Sequence, residues 1–129
     1  MDEHDDLPRP ASEVEIATIK LLLPPDGFPD VDVYRDQADH VCVTRRCSCG
    51  CPTIDVAVDR SHCRRATFEG TPLLPVEAEG TGEDHVQLLL FARDGWLESL
   101  ELVTFSPPAR PTFPPASELR VVNRYPAAQ

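Results

Sequence analysis

The first third of the chain has a helical pattern of apolar residues. Ser12 stands three residues before Glu15, which is the spacing of a capping box, in which both residues satisfy backbone N–H groups at the start of a helix. Apolar residues then form a broad face over residues 13–23, and Pro24 ends the pattern because proline cannot donate the next backbone hydrogen bond. We predict a first helix of about three turns. Residues 30–39 fit either a second short helix or a strand, and we favour the helix.

Beyond residue 40 the pattern is typical of β-strands. The Asp94-Gly95 pair lies between two β-rich runs and predicts a tight hairpin, because both residues accept the positive backbone dihedrals of such a turn. In the second arm of this hairpin apolar residues occur on both faces, so the pattern does not identify the inward face. An irregular basic loop is predicted over residues 59–72. The predicted strands cover residues 41–44, 53–58, 74–78, 86–92 and 96–105.

The two ends of the chain differ from its centre in proline content and charge. Residues 1–11 are acidic and carry two prolines, and we expect a flexible leader. Five prolines between residues 107 and 115 exclude this segment from a central strand, so we expect it to run extended over the surface to Leu119 and Val122. The pattern predicts a single α+β domain over residues 12–122, followed by a tail at 123–129. One N-terminal helix, with a second over 30–39, would pack on a four- to five-stranded, mainly antiparallel sheet with a Pro-rich C-terminal extension.

The composition and net charge of the chain exclude some classes of function. The chain has 129 residues, of which 41% are hydrophobic, and this is sufficient for one globular domain. Acidic residues outnumber basic residues by 22 to 12, giving a net charge of −10. The negative electrostatic field of such a chain repels phosphate backbones and anionic lipid headgroups, so we expect neither a nucleic acid nor a membrane as partner. The first residues do not show the basic segment followed by an apolar segment that is typical of a secretion signal, and this predicts a cytoplasmic protein.

The cysteines are the most unusual feature of the sequence. In an extended chain Cys47, Cys49 and Cys51 would project from one face, roughly 6.6 to 7 Å apart. If the loop carrying His62 and Cys63 folds back, either residue would complete four ligands for a structural zinc ion, the expected cofactor. The spacing departs from the paired ligands of zinc fingers, and the alternative interpretation is that the cysteines are small buried hydrophobic residues. Five cysteines are present: Cys42, Cys47, Cys49, Cys51 and Cys63.

The same region inverts the charge of the protein. Residues 40–65 contain five arginines and two aspartates, a net charge of +3, which leaves −13 for the rest of the chain. Arginine beside a thiol lowers its pKa and favours metal binding or redox chemistry. A basic segment on an acidic body also predicts an acidic protein partner. Trp96 is either an anchor for that partner or a cap on the core. The predicted interaction residues are Arg45, Arg46, Arg64, Arg65 and Trp96.

These observations favour a non-enzymatic interaction protein with a basic, cysteine-rich segment that includes a structural zinc site. An immunity-type protein, which neutralises its partner by binding it, is one alternative. A thiol-dependent redox or metal-handling protein is another. A hydrolase with a cysteine nucleophile would need a histidine as its base, and His40 and His62 bracket the cysteines. No surrounding motif supports that chemistry, and we identify no catalytic residue.

Two segments together resemble a known family. Residues 47–54, Cys-Ser-Cys-Gly-Cys-Pro-Thr-Ile, and the later hairpin segment Leu88–Glu101 are similar to a family of small actinobacterial proteins, over about Leu21 to Leu119. Members of that family pair a Cys-Gly-Cys-Pro segment with a late Asp-Gly hairpin. The resemblance implies a single-domain, cytoplasmic bacterial protein. No activity is established for the family, so it implies no catalytic residue.

Overall fold

The protein is an α+β fold with two helices and one antiparallel sheet. This computed structural model describes residues 7–48, 50–67, 72–80, 85–104 and 112–123. The α+β class is confirmed, but the described sheet has seven strands rather than four to five. The elements are β1 (Arg9–Pro10), α1 (Glu13–Leu21), α2 (Val31–Ala38), β2 (Val41–Arg46), β3 (Ile54–Val58), β4 (Leu73–Gly80), β5 (Val86–Arg93), β6 (Trp96–Thr104) and β7 (Leu119–Asn123).

The two strands that the sequence did not predict lie at the edges of the sheet. The strand order is β1-β2-β3-β6-β5-β4-β7, with each neighbouring pair antiparallel. In β1, inside the expected leader, Pro10 pairs with Cys42, since an edge strand tolerates a residue without an N–H. In β7, Val121 pairs with Ala78 and extends the sheet beyond β4. Residues 1–6 of the expected leader and 124–129 of the expected tail lie outside the described residues.

The capping box at the start of α1 is confirmed. The Ser12 Oγ accepts a hydrogen bond from the backbone N–H of Glu15 at 3.1 Å, and the Glu15 carboxylate accepts one from the Ser12 N–H at 2.8 Å. Both guanidinium NH groups of Arg9 also donate to this carboxylate, each at 2.9 Å. Burial raises the pKa of Glu15, but the Arg9 and Ser12 hydrogen bonds outweigh burial and leave the pKa below its usual value. The ion pair between Arg9 and Glu15 therefore connects β1 to α1.

The predicted second helix is also present as α2. It packs against β6 and contacts α1. Its buried face consists of Val31, Val33, Tyr34, Gln37 and Ala38. Four of these residues supply apolar or aromatic surface to the core, whereas Gln37 brings a polar amide into it.

The hairpin of β5 and β6 is confirmed, and its register explains the mixed pattern of its second arm. Asp94 and Gly95 have φ values of 55° and 85°, as the tight turn requires. Ala92 pairs with Leu97 and Phe91 with Ser99, so the intervening residue of β6 is an extra residue, a β-bulge. Because of this bulge, the alternation of inward-pointing and outward-pointing residues along β6 shifts by one residue. Leucines at 97, 100 and 102 are therefore all buried.

One continuous core joins the helices to the sheet. Its largest fully buried side chains come from α1 and its C-terminal end, from α2 and from five strands. Within the described part of the chain, neither helix has the length and apolarity needed to cross a membrane.

Candidate functional site

The register of β2 and β3 determines where the predicted site residues lie. Val41 pairs with Val58 and Arg46 pairs with Ile54. Residues 47–53 therefore connect the strands at one end, and residues 59–63 leave β3 at the other end, about 13 Å away at the usual rise per residue. The structure therefore does not bring the described members of the predicted zinc site together on one patch. Cys47 and Cys51 lie at the first end, and His62 and Cys63 lie at the second.

Residues 47–52 are here named the cysteine turn, and two backbone hydrogen bonds close it among its described residues. The N–H of Cys47 donates to the carbonyl of Thr53 at 3.2 Å, and that of Gly50 donates to the Cys47 carbonyl at 3.4 Å. Gly50 has a φ of 94°, so the chain reverses where the alternation of thiols assumed a straight strand. Cys49 lies outside the described residues, and the described residues include no group of three or more His, Cys, Asp or Glu placed to hold a metal. The zinc site stays a prediction.

Residues 59–67, here named the basic loop, are irregular but tied to the core by one buried side chain. The Gln37 amide nitrogen donates to the Arg64 carbonyl at 3.1 Å and to the Gly95 carbonyl at 2.8 Å. Its amide oxygen accepts from the Leu97 N–H at 2.9 Å. The Ala66 N–H also donates to the Gly95 carbonyl, at 3.0 Å. Gln37 is 0% exposed and joins α2, the basic loop and the β5–β6 turn.

Both ends of the basic loop have further anchors. Asp59 accepts hydrogen bonds from the hydroxyl and the N–H of Ser61 and pairs with Nδ1 of His62 at 2.9 Å. These contacts, with the Ser61 hydroxyl foremost, lower the pKa of Asp59. The His62 ring stacks on that of His40, with centroids 5.4 Å apart. At the far end, the Thr67 hydroxyl donates to the Asp30 carboxylate at 2.6 Å.

The basic loop presents three arginines on the surface beside Trp96. The Arg60 guanidinium lies 4.6 Å from the centroid of the Trp96 ring, within cation–π range. Arg64 and Arg65 are exposed. None of the three arginines forms an ion pair with a carboxylate in the described part of the chain. Trp96 is partly buried and packs against the core, and its ring also contacts Arg60.

The other two predicted interaction residues lie at the opposite end of the β2–β3 hairpin. Arg45 is exposed, and its Nε is 3.7 Å from the Asp55 carboxylate. Arg46 is exposed at the end of β2, next to the cysteine turn. The single basic patch expected from the sequence is therefore divided, and only Arg64 and Arg65 lie with Trp96.

The environment of Cys63 is opposite to the one expected. Burial and the neighbouring carboxylates, chiefly that of Asp36, raise the pKa of its thiol. The sequence predicted that adjacent arginines would lower this pKa, but the structure places the carboxylate of Asp36 beside the sulfur, and those of Asp59 and Asp39 act in the same direction. A raised pKa disfavours the thiolate, the reactive form in nucleophilic and redox chemistry. The histidines of the hydrolase hypothesis stack on each other, and His62 pairs with Asp59 instead of a thiol.

Two features were missed in the sequence. The first is Gln37, which stands four residues after Val33 and three after Tyr34 on the buried face of α2. A polar residue at this position of an apolar helical face was the signal that could have identified it. The second is a groove beside α1, which no local pattern predicts because its walls come from distant segments.

This α1 groove has a volume of about 620 Å³. One wall is α1 and another is the segment 112–116 of the Pro-rich region, and Pro52, the last residue of the cysteine turn, also lines the groove. Arg9 of β1 and Leu119 of β7 both border it, so residues of the two edge strands reach the same groove. The lining also includes Val14, Leu21, Ile54, Phe113 and Arg46.

Comparison of the chain with protein-family models, with curated proteins and with solved structures finds no match. The resemblance to the actinobacterial family stays a prediction.

Proposed function

We propose that the protein is a non-enzymatic binding protein whose basic loop binds an acidic segment of a protein partner. The main support for this proposal is that an irregular but anchored loop exposes Arg60, Arg64 and Arg65. None of these three side chains has a carboxylate partner among the described residues. Their charges are therefore available to carboxylates of another molecule.

The negative charge of the whole protein does not prevent this binding. The net charge is −10, yet residues 40–65 carry +3. At about 0.1 M salt, charges more than roughly 10 Å apart at the surface are largely screened. Direct contacts with the loop arginines then outweigh the repulsion from distant acidic residues. The remaining acidic surface would instead exclude partners that do not reach the loop.

The geometry also lowers the cost of binding. A loop that is already ordered loses less conformational entropy when it meets a partner than a mobile loop does. Gln37 supplies three of the hydrogen bonds that hold this loop and turn in place. Arginine and tryptophan are also the residue types enriched at the centres of protein interfaces, and here Arg60 is stacked on Trp96.

Among the alternatives, an immunity-type role is a special case of the same binding activity, in which binding neutralises the partner. The raised pKa of Cys63 counts against a reactive thiol at that position. A zinc site at the cysteine turn would lie at the other end of the β2–β3 hairpin, so it is separate from the proposed binding surface. A cytoplasmic location remains part of the proposal.

The proposal can be tested by titrating ¹⁵N-labelled protein with a peptide of ten glutamates and with a Gly-Ser peptide of equal length. We expect the glutamate peptide to shift the amides of residues 60–67 and the indole N–H of Trp96, and the neutral peptide to shift neither. The shifts should decrease as salt is added. Shifts confined to residues 45–48, or larger shifts with single-stranded DNA of ten nucleotides, would contradict the proposal.

A further inference from the structure

We infer that the α1 groove is a second binding site, for a small ligand with an aliphatic body and one carboxylate. The site is distinct from the basic loop, because it lies by α1, the segment 112–116 and the opposite end of the β2–β3 hairpin. The inference therefore does not depend on the proposed function.

The size and walls of the groove fit an apolar small molecule. Its volume of about 620 Å³ lies within the roughly 300 to 1,000 Å³ typical of small-molecule sites, which are lined mainly by apolar side chains. Most of its lining residues are apolar, among them Val14, Leu21, Ile54 and Phe113. Val14 is 62% exposed although it sits on this apolar surface. A ligand that covers the side chain would remove that surface from water.

The wall formed by the Pro-rich segment is fixed. Phe113 is 8% exposed and belongs to the core, and Pro114 is buried beside it. Proline also restricts the backbone of this segment. The groove is thus held open by a segment anchored in the core.

The charges at the groove specify one anionic group. Two arginines line it, but Arg9 is already neutralised by its bidentate hydrogen bonds to Glu15. Arg46 forms no ion pair within the described part of the chain. It also borders a smaller adjoining cleft of about 390 Å³, together with Leu7 and Cys47. One uncompensated cation beside an apolar wall is complementary to one carboxylate on an aliphatic chain.

A segment of another protein fits the groove less well. A stable protein interface buries at least about 1,000 Å² in total, and it needs a broad surface around any groove. The exposed large apolar side chains among the described residues are Val14 and Val121. Of these two, Val14 alone lines the groove, so there is no wide apolar surface to extend a protein contact.

The test compares decanoate with 1-decanol, which has the same chain length and no charge, both below their limits of solubility. We expect decanoate to shift the amides of α1 and of residues 113–116, and Arg46→Gln to weaken decanoate binding about fivefold, as for loss of a solvent-exposed ion pair. Arg46→Gln should leave decanol binding unchanged. Arg45→Gln, an exposed neighbour outside the groove lining, should change neither affinity.

A second variant tests the apolar wall. Val14→Glu places a carboxylate on the exposed wall of the groove and should reduce the binding of both compounds by at least tenfold. The amide spectrum of this variant should remain that of a folded protein. The inference is overturned if neither compound shifts α1, or if Arg46→Gln and wild type bind decanoate equally. Equal effects of Arg45→Gln and Arg46→Gln would also overturn it. None of these results changes the expected response of the basic loop to the glutamate peptide.

Discussion

The basic loop and the cysteine turn lie at opposite ends of the same two strands, and they are held in different ways. The basic loop is joined to α2 and to the β5–β6 turn by the Gln37 amide, and Gly95 packs beneath it. The cysteine turn is closed by backbone hydrogen bonds at Cys47 and Gly50, and a Cβ added to Gly50 would meet no atom within 4 Å apart from those of its chain neighbours. The segment with the densest sequence motif is therefore not the best anchored surface of this fold.

The largest expected difference between the two regions comes from removing the buried amide. Gln37→Leu leaves the Leu97 N–H and the Arg64 carbonyl without their partner, and buried polar groups in that state cost about 1 to 3 kcal/mol each. We expect a loss of about 3 kcal/mol in the free energy of unfolding, measured by urea denaturation. Ser48→Leu, at an exposed position in the cysteine turn, should cost less than about 0.5 kcal/mol. A loss of less than 1 kcal/mol for Gln37→Leu would refute the role given to the amide.

Replacing one glycine in each region by alanine should give a difference in stability of intermediate size. Gly50 and Gly95 both have positive φ values, 94° and 85°, and alanine at such a position costs about 1 kcal/mol from the backbone alone. A Cβ at Gly95 would also collide with the Ala66 carbonyl oxygen and with Cγ of Arg65. We expect Gly95→Ala to cost about 3 kcal/mol and Gly50→Ala about 1 kcal/mol. Equal losses in urea denaturation would show that the basic loop is not packed on the hairpin turn.

The smallest expected effect concerns thiol reactivity in the basic loop. Since burial and Asp36 raise the pKa of Cys63, its thiolate fraction at pH 8 is reduced, and alkylation should be slower than at exposed Cys42. Asp36→Asn removes one negative charge from beside the thiol and should speed the labelling of Cys63 about two- to threefold. Mass spectrometry of the labelled peptides measures both rates. Labelling of Cys63 that is faster than that of Cys42 in the wild type would contradict the raised pKa.

The helices and the central strands could be predicted because their signals are local. The Ser12–Glu15 capping box and the Asp94-Gly95 turn each depend on a few adjacent residues, and both are present. The edge strands could not be predicted, since β1 has two residues and β7 follows a Pro-rich segment. Their existence depends on pairing with β2 and β4, which lie far away in the chain.

The candidate site was only partly predictable for a related reason. The charges of Arg64 and Arg65 and the position of Trp96 next to the hairpin turn follow directly from the sequence. The separation of Cys47 from Cys63 depends on the register of β2 against β3, and no residue near either cysteine encodes that register. The carboxylate with the largest effect on the pKa of Cys63, that of Asp36, belongs to α2, more than twenty residues away in the sequence.

Charge reversals at the two ends of the β2–β3 hairpin test most directly whether the basic loop is the binding surface. R64E/R65E alters the basic loop and R45E/R46E alters the opposite end, and each changes the net charge from −10 to −14. Because the total charge is matched, a difference in affinity for the ten-glutamate peptide reports the location of binding. We predict that R64E/R65E weakens binding at least tenfold more than R45E/R46E, and equal weakening by the two variants would contradict a binding surface on the basic loop.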